Sequence, residues 1–329
     1  MNIEKSLLEM DFEQETNTIK NFLRHSITKI LHKKGVVVGL SGGIDSSLSA
    51  ALCVQALGKE RVLGLLMPER DSSPETVPLS RDLARHLDIR TVTRDITSTL
   101  ESLDVYSGYA RIARALIPEY SADWKSKIIT NQSNKKKTVT FHSLVAHSPD
   151  GEKWTKRIPI QEYLGLVATT NYKQRVRKNI EYHYADANNF AVIGTPNRLE
   201  YELGFFVKNG DGAADIKPIA HLYKTQVYGL ARHLGLPQQI LDRPPSTDTF
   251  SLPQSQDEFY FALPYREMDI CLFALNNGIS VQDVAAELTL PPVQVEHIFS
   301  DIHTKRRTTS PLHLEPLLVP RSSRVEPYP

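Results

Sequence analysis

The sequence predicts an α/β fold: a parallel sheet flanked by helices, with a hairpin-like insertion and a helical C-terminal part. Three observations carry that prediction. Short apolar runs recur at residues 36–40, 62–67 and 190–193, a short strand fits at 90–93, and helix-spaced apolar residues fill much of the chain between them. Strands alternating with helices need crossover connections, which make the strands parallel and cover both sheet faces. From Leu222 onward the periodic segments are helical.

Taken in order, Phe12, Ile19, Phe22, Leu23, Ile27, Ile30 and Leu31 fall at helical spacing, and Gly35 ends that pattern before the buried-strand run Val36-Val37-Val38-Gly39-Leu40. After the loop Ser41 to Asp45, a helix over 46–57 presents Leu48, Ala51, Leu52 and Leu57 on one face, and residues 62–67 form the next strand. Residues 35–67 are thus a strand-helix-strand unit. A helix over 75–87 and strands over 90–93 and 190–193 extend a Rossmann-like sheet. Residues 119–160 break this rhythm. A polar run at 131–137, a strand over 138–146, the turn Ser148-Pro149-Asp150-Gly151 and a strand over 153–158 predict an inserted hairpin, with Lys135 to Lys137 in a solvated loop. Helices follow over 224–234, 259–275, 281–288 and 292–302, separated by turn signals such as Arg243-Pro244-Pro245. The organisation expected is one domain over 1–307, interrupted at about 119–160, and a Pro-rich tail over 308–329 that is extended or partly disordered. There is no internal repeat.

Composition narrows the function. The 329 residues are 40% apolar, enough for a sizeable core. Lys and Arg total 39 against 38 for Asp and Glu, a net charge of +1 that gives no reason to expect nucleic acid or a membrane surface as partner. Anion binding must then come from local clusters. The two cysteines, Cys53 and Cys271, are far apart in apolar settings, which excludes a disulfide framework and a Cys-x-x-Cys site. Met1 to Met10 lack a secretory pattern and no apolar run approaches a membrane span, so a soluble, cytoplasmic protein is expected.

Chemistry concentrates in two blocks. Ser41-Gly42-Gly43-Ile44-Asp45-Ser46-Ser47 follows a strand and opens a helix, where unpaired N–H groups and the helix dipole favour an anion. The glycines let phosphate approach the main chain, and the serines add donors. Asp45 repels bare phosphate but suits one that carries Mg²⁺. Neither the Walker pattern nor the dinucleotide fingerprint is present. The second block runs from Gly194-Thr195-Pro196-Asn197-Arg198-Leu199-Glu200 into Leu203-Gly204-Phe205-Phe206-Val207-Lys208-Asn209-Gly210-Asp211-Gly212-Ala213-Ala214-Asp215.

The first block resembles the phosphate loop of the pyrophosphate-releasing ATP family, which includes NAD, GMP and asparagine synthetases. The second resembles the NAD synthetase pattern, ammonia-dependent type. That resemblance covers about residues 10–100 and 165–307. It implies an adenine nucleotide alpha hydrolase-like fold, ATP cleavage between the α and β phosphates, and an adenylated carboxylate that ammonia converts to an amide. For the acceptor deamido-NAD the product is NAD, released with AMP and pyrophosphate. It further implies Mg²⁺ on Asp45 and Glu200, and ATP contacts from Ser41, Gly42, Gly43, Ile44, Asp45, Ser46, Ser47, Thr195, Lys224 and Ser246. Lys224, in Leu222-Tyr223-Lys224-Thr225-Gln226, would offset charge on the phosphates and joins Asp45 and Glu200 as a catalytic group. Deamido-NAD contacts would come from Arg175, in Asn171-Tyr172-Lys173-Gln174-Arg175-Val176-Arg177, and from Lys208, Asp215, Thr304 and Lys305. Thr304 stands where the family commonly has histidine, with His303 one position earlier. With the nearby insertion, it leaves open the same chemistry on another carboxylate; a silent nucleotide-binding module is the other alternative. Relatives of this type are homodimers. With no room for a hydrolase domain before the phosphate loop, ammonia is expected from solution or from a separate glutaminase.

Overall fold

The computed structural model describes residues 3–132, 140–245, 249–255, 260–261 and 263–319. The elements in order are α1 (Ile3–Leu8), α2 (Phe12–His25), β1 (Gly35–Gly39), α3 (Ile44–Leu57), β2 (Val62–Leu66), α4 (Thr76–Leu87), β3 (Arg90–Thr93), α5 (Thr97–Ser102) and α6 (Val105–Leu116). An inserted β4 (Lys125–Gln132), β5 (Thr140–His147) and β6 (Lys153–Arg157) follow. The chain then continues through α7 (Ile160–Asn188), β7 (Phe190–Ile193), α8 (Arg198–Leu203), α9 (Lys224–His233), α10 (Gln238–Leu241) and helices Tyr265–Asn276, Val281–Leu288 and Pro292–Thr309.

The main sheet is parallel in the order β3-β2-β1-β7. Strand periodicity divides its side chains between two layers: Val36 and Val38 enter a core with residues of α2, α3 and α9, while Val37 enters one with residues of α5, α6 and α7. All three valines are fully buried, which at about 1.5–3 kcal/mol per side chain fixes β1 in the middle of the molecule. A third core joins α8 to the three C-terminal helices, and a fourth lies between the insertion, α6 and α7.

The order matters for function. Chain progression steps from β1 to β2 and β3 on one side, whereas β7 returns to the other side of β1. The gap between the carboxyl ends of β1 and β7 is therefore a topological switch point, the crevice where such sheets bind ligands.

Three segments differ from the sequence expectation. The insertion is a three-stranded antiparallel sheet, β4-β5-β6, rather than a hairpin. Lys125–Gln132 has adjacent Ile128 and Ile129 and no clean alternation, so its pattern did not mark a strand. Residues 133–139, including Lys135 to Lys137, lie outside the described residues. The expected helix over 259–275 begins only at Tyr265, because Pro264 has no N–H and serves as N-cap, while Phe259 lies outside the described residues. The last helix continues through Thr309, past the expected end at 302, and residues 320–329 lie outside the described residues. No helix among the described residues is long and apolar enough to cross a membrane.

Candidate active site

At the switch point β1 runs into Ser41–Gly43, and α3 begins at Ile44. Gly42 has φ +70°, and a Cβ there would come within 2.9 Å of both Leu79 Cβ and Arg243 Nη1, so both conformation and space demand glycine. Three hydroxyls brace the turn. Ser46 Oγ donates to Gly43 O at 3.1 Å, Ser47 Oγ donates to the same carbonyl at 2.8 Å, and Ser41 Oγ lies 3.1 Å from Ser46 Oγ. The N-cap Gly43 offers no side chain to the first-turn N–H groups of α3, which is the condition for receiving an anion there.

Across the gap, β7 leads to Asn197, the N-cap of α8. Asn197 Oδ1 accepts from Glu200 N at 3.1 Å and Glu200 Oε2 accepts from Asn197 N at 3.1 Å, a reciprocal capping box. The same Asn197 donates through Nδ2 to Asp45 Oδ1 at 3.2 Å. Asp45 Oδ2 is ion-paired with Lys224, the first residue of α9, whose side chain is only 2% exposed. Burial alone would lower the Lys224 pKa. The opposing charges of Asp45 and Glu200, with the Asp45 hydrogen bond, outweigh it and hold the ammonium above its usual range. A lysine in a first helical turn opposes the dipole, and here two carboxylates supply the compensation.

These groups border a cleft of about 610 Å³ lined by Ser41, Gly43, Ile44, Asp45, Ser46, Thr195, Glu200 and Lys224, and also by Arg175 and Lys208. Arg175 Nε donates to Lys208 O at 3.3 Å, and Lys208 Nζ donates to Pro311 O at 3.0 Å, drawing the C-terminal segment toward the cleft. Gly42 and Ser47, expected as contacts, are not among the lining residues, and the Ser47 hydroxyl is spent on Gly43 O. Asp215 is elsewhere: its carboxylate accepts from Val192 N at 2.7 Å and from Tyr182 Oη at 3.4 Å. Thr304 is exposed on the last helix, and Lys305 Nζ donates to Tyr260 O and Asp301 Oδ2, both at 2.6 Å; neither lines the cleft. Ser246 lies outside the described residues.

Two contributors escaped sequence reading. Asn197 stood within the quoted block, and the Asn-x-x-Glu spacing of a capping box was the available signal. Arg243, read only as part of a turn, donates through Nη1 to Ser41 O at 2.8 Å and through Nη2 to Thr76 Oγ1 at 3.2 Å. A contact across 202 positions leaves no local pattern.

With this geometry in place, likeness to known proteins is specific. A family model described as NAD synthase matches residues 15–118 and 117–309. The NH(3)-dependent NAD(+) synthetase of Rhizobium meliloti (strain 1021) is 50% identical over 319 residues, covering 97% of this chain and 95% of the relative. The protein of that name from Thermotoga maritima is 36% identical over 263 residues, 80% of this chain and 87% of the relative. Among solved structures, the NH3-dependent NAD synthetase from Campylobacter jejuni aligns with TM-score 0.61 at 24% identity, over 94% of this chain and 100% of that one. NMN synthetase from Francisella tularensis aligns with TM-score 0.66 at 23% identity, over 95% and 100%. At such identities the two structures speak for the fold.

Proposed function

The chain belongs to the NAD synthase family, and on that premise we propose that it is an ammonia-dependent ligase converting deamido-NAD to NAD at the expense of ATP. The observation that carries the reading is the meeting of Asp45, Asn197 and Lys224, from three segments remote in sequence, at the open end of α3.

In this proposal the triphosphate lies on the Ser41–Ser47 turn, with Thr195 beside it. A nicotinate carboxylate oxygen attacks the α phosphorus, the α–β bridging bond breaks, and pyrophosphate leaves. Lys224 balances the charge that develops on the departing oxygens. Ammonia then attacks the acyl carbon of the mixed anhydride, AMP leaves with the bonding electrons, and a proton passes from nitrogen to solvent. No protein nucleophile is needed, and the thiols of Cys53 and Cys271 are buried.

Mg²⁺ belongs to the same proposal. No group of three His, Cys, Asp or Glu side chains among the described residues is placed to hold a metal. Asp45 and Glu200 both line the cleft and would hold the ion there, and their charges already act on the Lys224 ammonium, which Asp45 pairs directly. When bound, the ion would neutralise phosphate oxygens. Arg175 and Lys208 are the acceptor contacts at the cleft. Asp215, Thr304 and Lys305 lie off it in a single chain, so in the proposal they reach the acceptor only within a homodimer. Ammonia arrives from solution or a separate glutaminase, and the enzyme works in the cytoplasm.

The test is incubation of purified protein with ATP, Mg²⁺, ammonium and deamido-NAD, following NAD, AMP and pyrophosphate, with Asp45→Ala as control. Equal yields of the three products are expected. Pyrophosphate release only with another carboxylate would move the acceptor, and no ATP turnover with any carboxylate would sink the reading.

A further inference from the structure

Residues 250–254 lie along the inserted sheet. β4 is an edge strand, and its outer backbone groups are available to a partner. Residues 251–254 take that place. Leu252 N donates to Ser126 O at 3.1 Å, Ser126 N donates to Ser251 Oγ at 2.9 Å, and Gln254 Nε2 donates to Ile128 O at 2.5 Å. Lys127 Nζ adds a bond to Pro253 O at 3.2 Å. Phe250, 6% exposed, is buried in the insertion's own core with Ile128, Leu144 and Ala146.

The segment is also fixed from the side of the main sheet. Lys173 on α7, 3% exposed, donates to Thr249 O at 3.0 Å and is ion-paired with Glu69 at 2.9 Å and Asp71 at 2.7 Å. Upstream, Arg243 grips the phosphate turn. Between these anchors, Thr249 and Phe250 form a wall shared by the active-site cleft and a second cavity of about 860 Å³ beside the insertion.

We propose that the inserted sheet serves catalysis by holding this shared wall, with Ser251 and Gln254 as positioning residues that act through Thr249 and Phe250 on substrate binding in the cleft. Connecting segments of this kind are ordinarily the mobile part of a site. Here backbone and side-chain hydrogen bonds to an edge strand convert one into a fixed surface. The proposal gives the insertion a role, and its kinetic part rests on the amide-forming reading above.

The experiment compares the full-length parent with Ser251→Ala, Ser251→Thr, Gln254→Ala and the Ser251→Ala/Gln254→Ala pair. Hydrogen exchange reads docking, calorimetric titration reads ATP affinity without acceptor, and steady-state kinetics reads KM and kcat. The parent should protect the Ser126 and Leu252 amides. The double variant should lose that protection and show ATP affinity or a substrate KM weakened roughly tenfold, with kcat within about threefold. Ser251→Thr keeps the hydroxyl and should behave as the parent. Unprotected amides in the parent would overturn the docking, a result available even if a variant fails to fold. Lost protection with unchanged affinity and KM would overturn the positioning role. A parent that turns over no deamido-NAD would refute the function while the exchange and ATP-binding arms still decide the proposal.

Discussion

Asp45 is the residue on which the site turns, because both of its oxygens are committed to partners from other segments, Asn197 and Lys224. Removing either charge of the Asp45–Lys224 pair strands the other in a mostly buried setting. That costs on the order of 3 kcal/mol, more than a surface pair is worth. On the proposed mechanism Lys224→Met should cut pyrophosphate formation roughly 100- to 1000-fold, the usual scale for loss of a group that meets transition-state charge. Urea unfolding of Asp45→Asn, Lys224→Met and the double variant should give non-additive losses; additive ones would deny the coupling. Asn197→Ala should cost about 1 kcal/mol through loss of the cap. It should also lower kcat/KM, because Asp45 loses a restraint; an unchanged kcat/KM would confine Asn197 to capping. That Asp45, Glu200 and Lys224 border one cleft was expected from sequence, Asp45 from its place in a phosphate-type turn and Glu200 and Lys224 from the family resemblance of the runs that hold them. Arg243 was not, since its partners Ser41 and Thr76 are adjacent only after folding.

Elements place these residues, and α9 does so under strain of charge. Asp269, from the helix Tyr265–Asn276, accepts from Thr225 N at 2.7 Å at the start of α9. Burial pushes its carboxyl up to about 7, ahead of the lowering by Thr225 and the Lys224 charge. Between the ordinary aspartate value of 3.8 and about 7 the folded chain keeps a proton that the unfolded chain has lost. Stability therefore falls as pH rises through that window, by on the order of a few kcal/mol in total. Urea midpoints measured from pH 4.5 to 7.5 should show this slope, and Asp269→Asn should flatten it; an unaltered slope would assign the effect to other groups. Strands β1, β2 and β7 were legible because a buried parallel strand is a short apolar run between turns, whereas β3, Arg90-Thr91-Val92-Thr93 and mostly exposed, was expected as a short strand in the continuing strand-helix alternation. β4 was missed because its stability comes from its neighbour β5 and from residues 251–254, not from its own alternation.

At the scale of the molecule, two cores meet at α9. Tyr223 belongs to the core of the C-terminal helices and Tyr228 to the main-sheet core, and Tyr228 stacks on Tyr265 with ring centroids 5.4 Å apart. No composition or spacing in the sequence states that one short helix joins both cores and also carries Lys224. Each core holds one cysteine, Cys53 in the main-sheet core and Cys271 in the core of the C-terminal helices, and burial pushes both thiols up to about 12. Neither should react with an aromatic disulfide reagent at pH 8 in the native protein, since thiolate and access are both lacking. The shared helix makes the two cores one cooperative unit, so both thiols should become reactive at the same urea concentration. Single Cys53→Ser and Cys271→Ser variants, each leaving one reporter, separate the two signals once their midpoints are corrected for the substitution. Midpoints that coincide would support one unit joined through α9. Release of Cys271 well before Cys53 would mean that the C-terminal core opens alone, taking Asp269 away from α9 and leaving Lys224 to the carboxylates of Asp45 and Glu200.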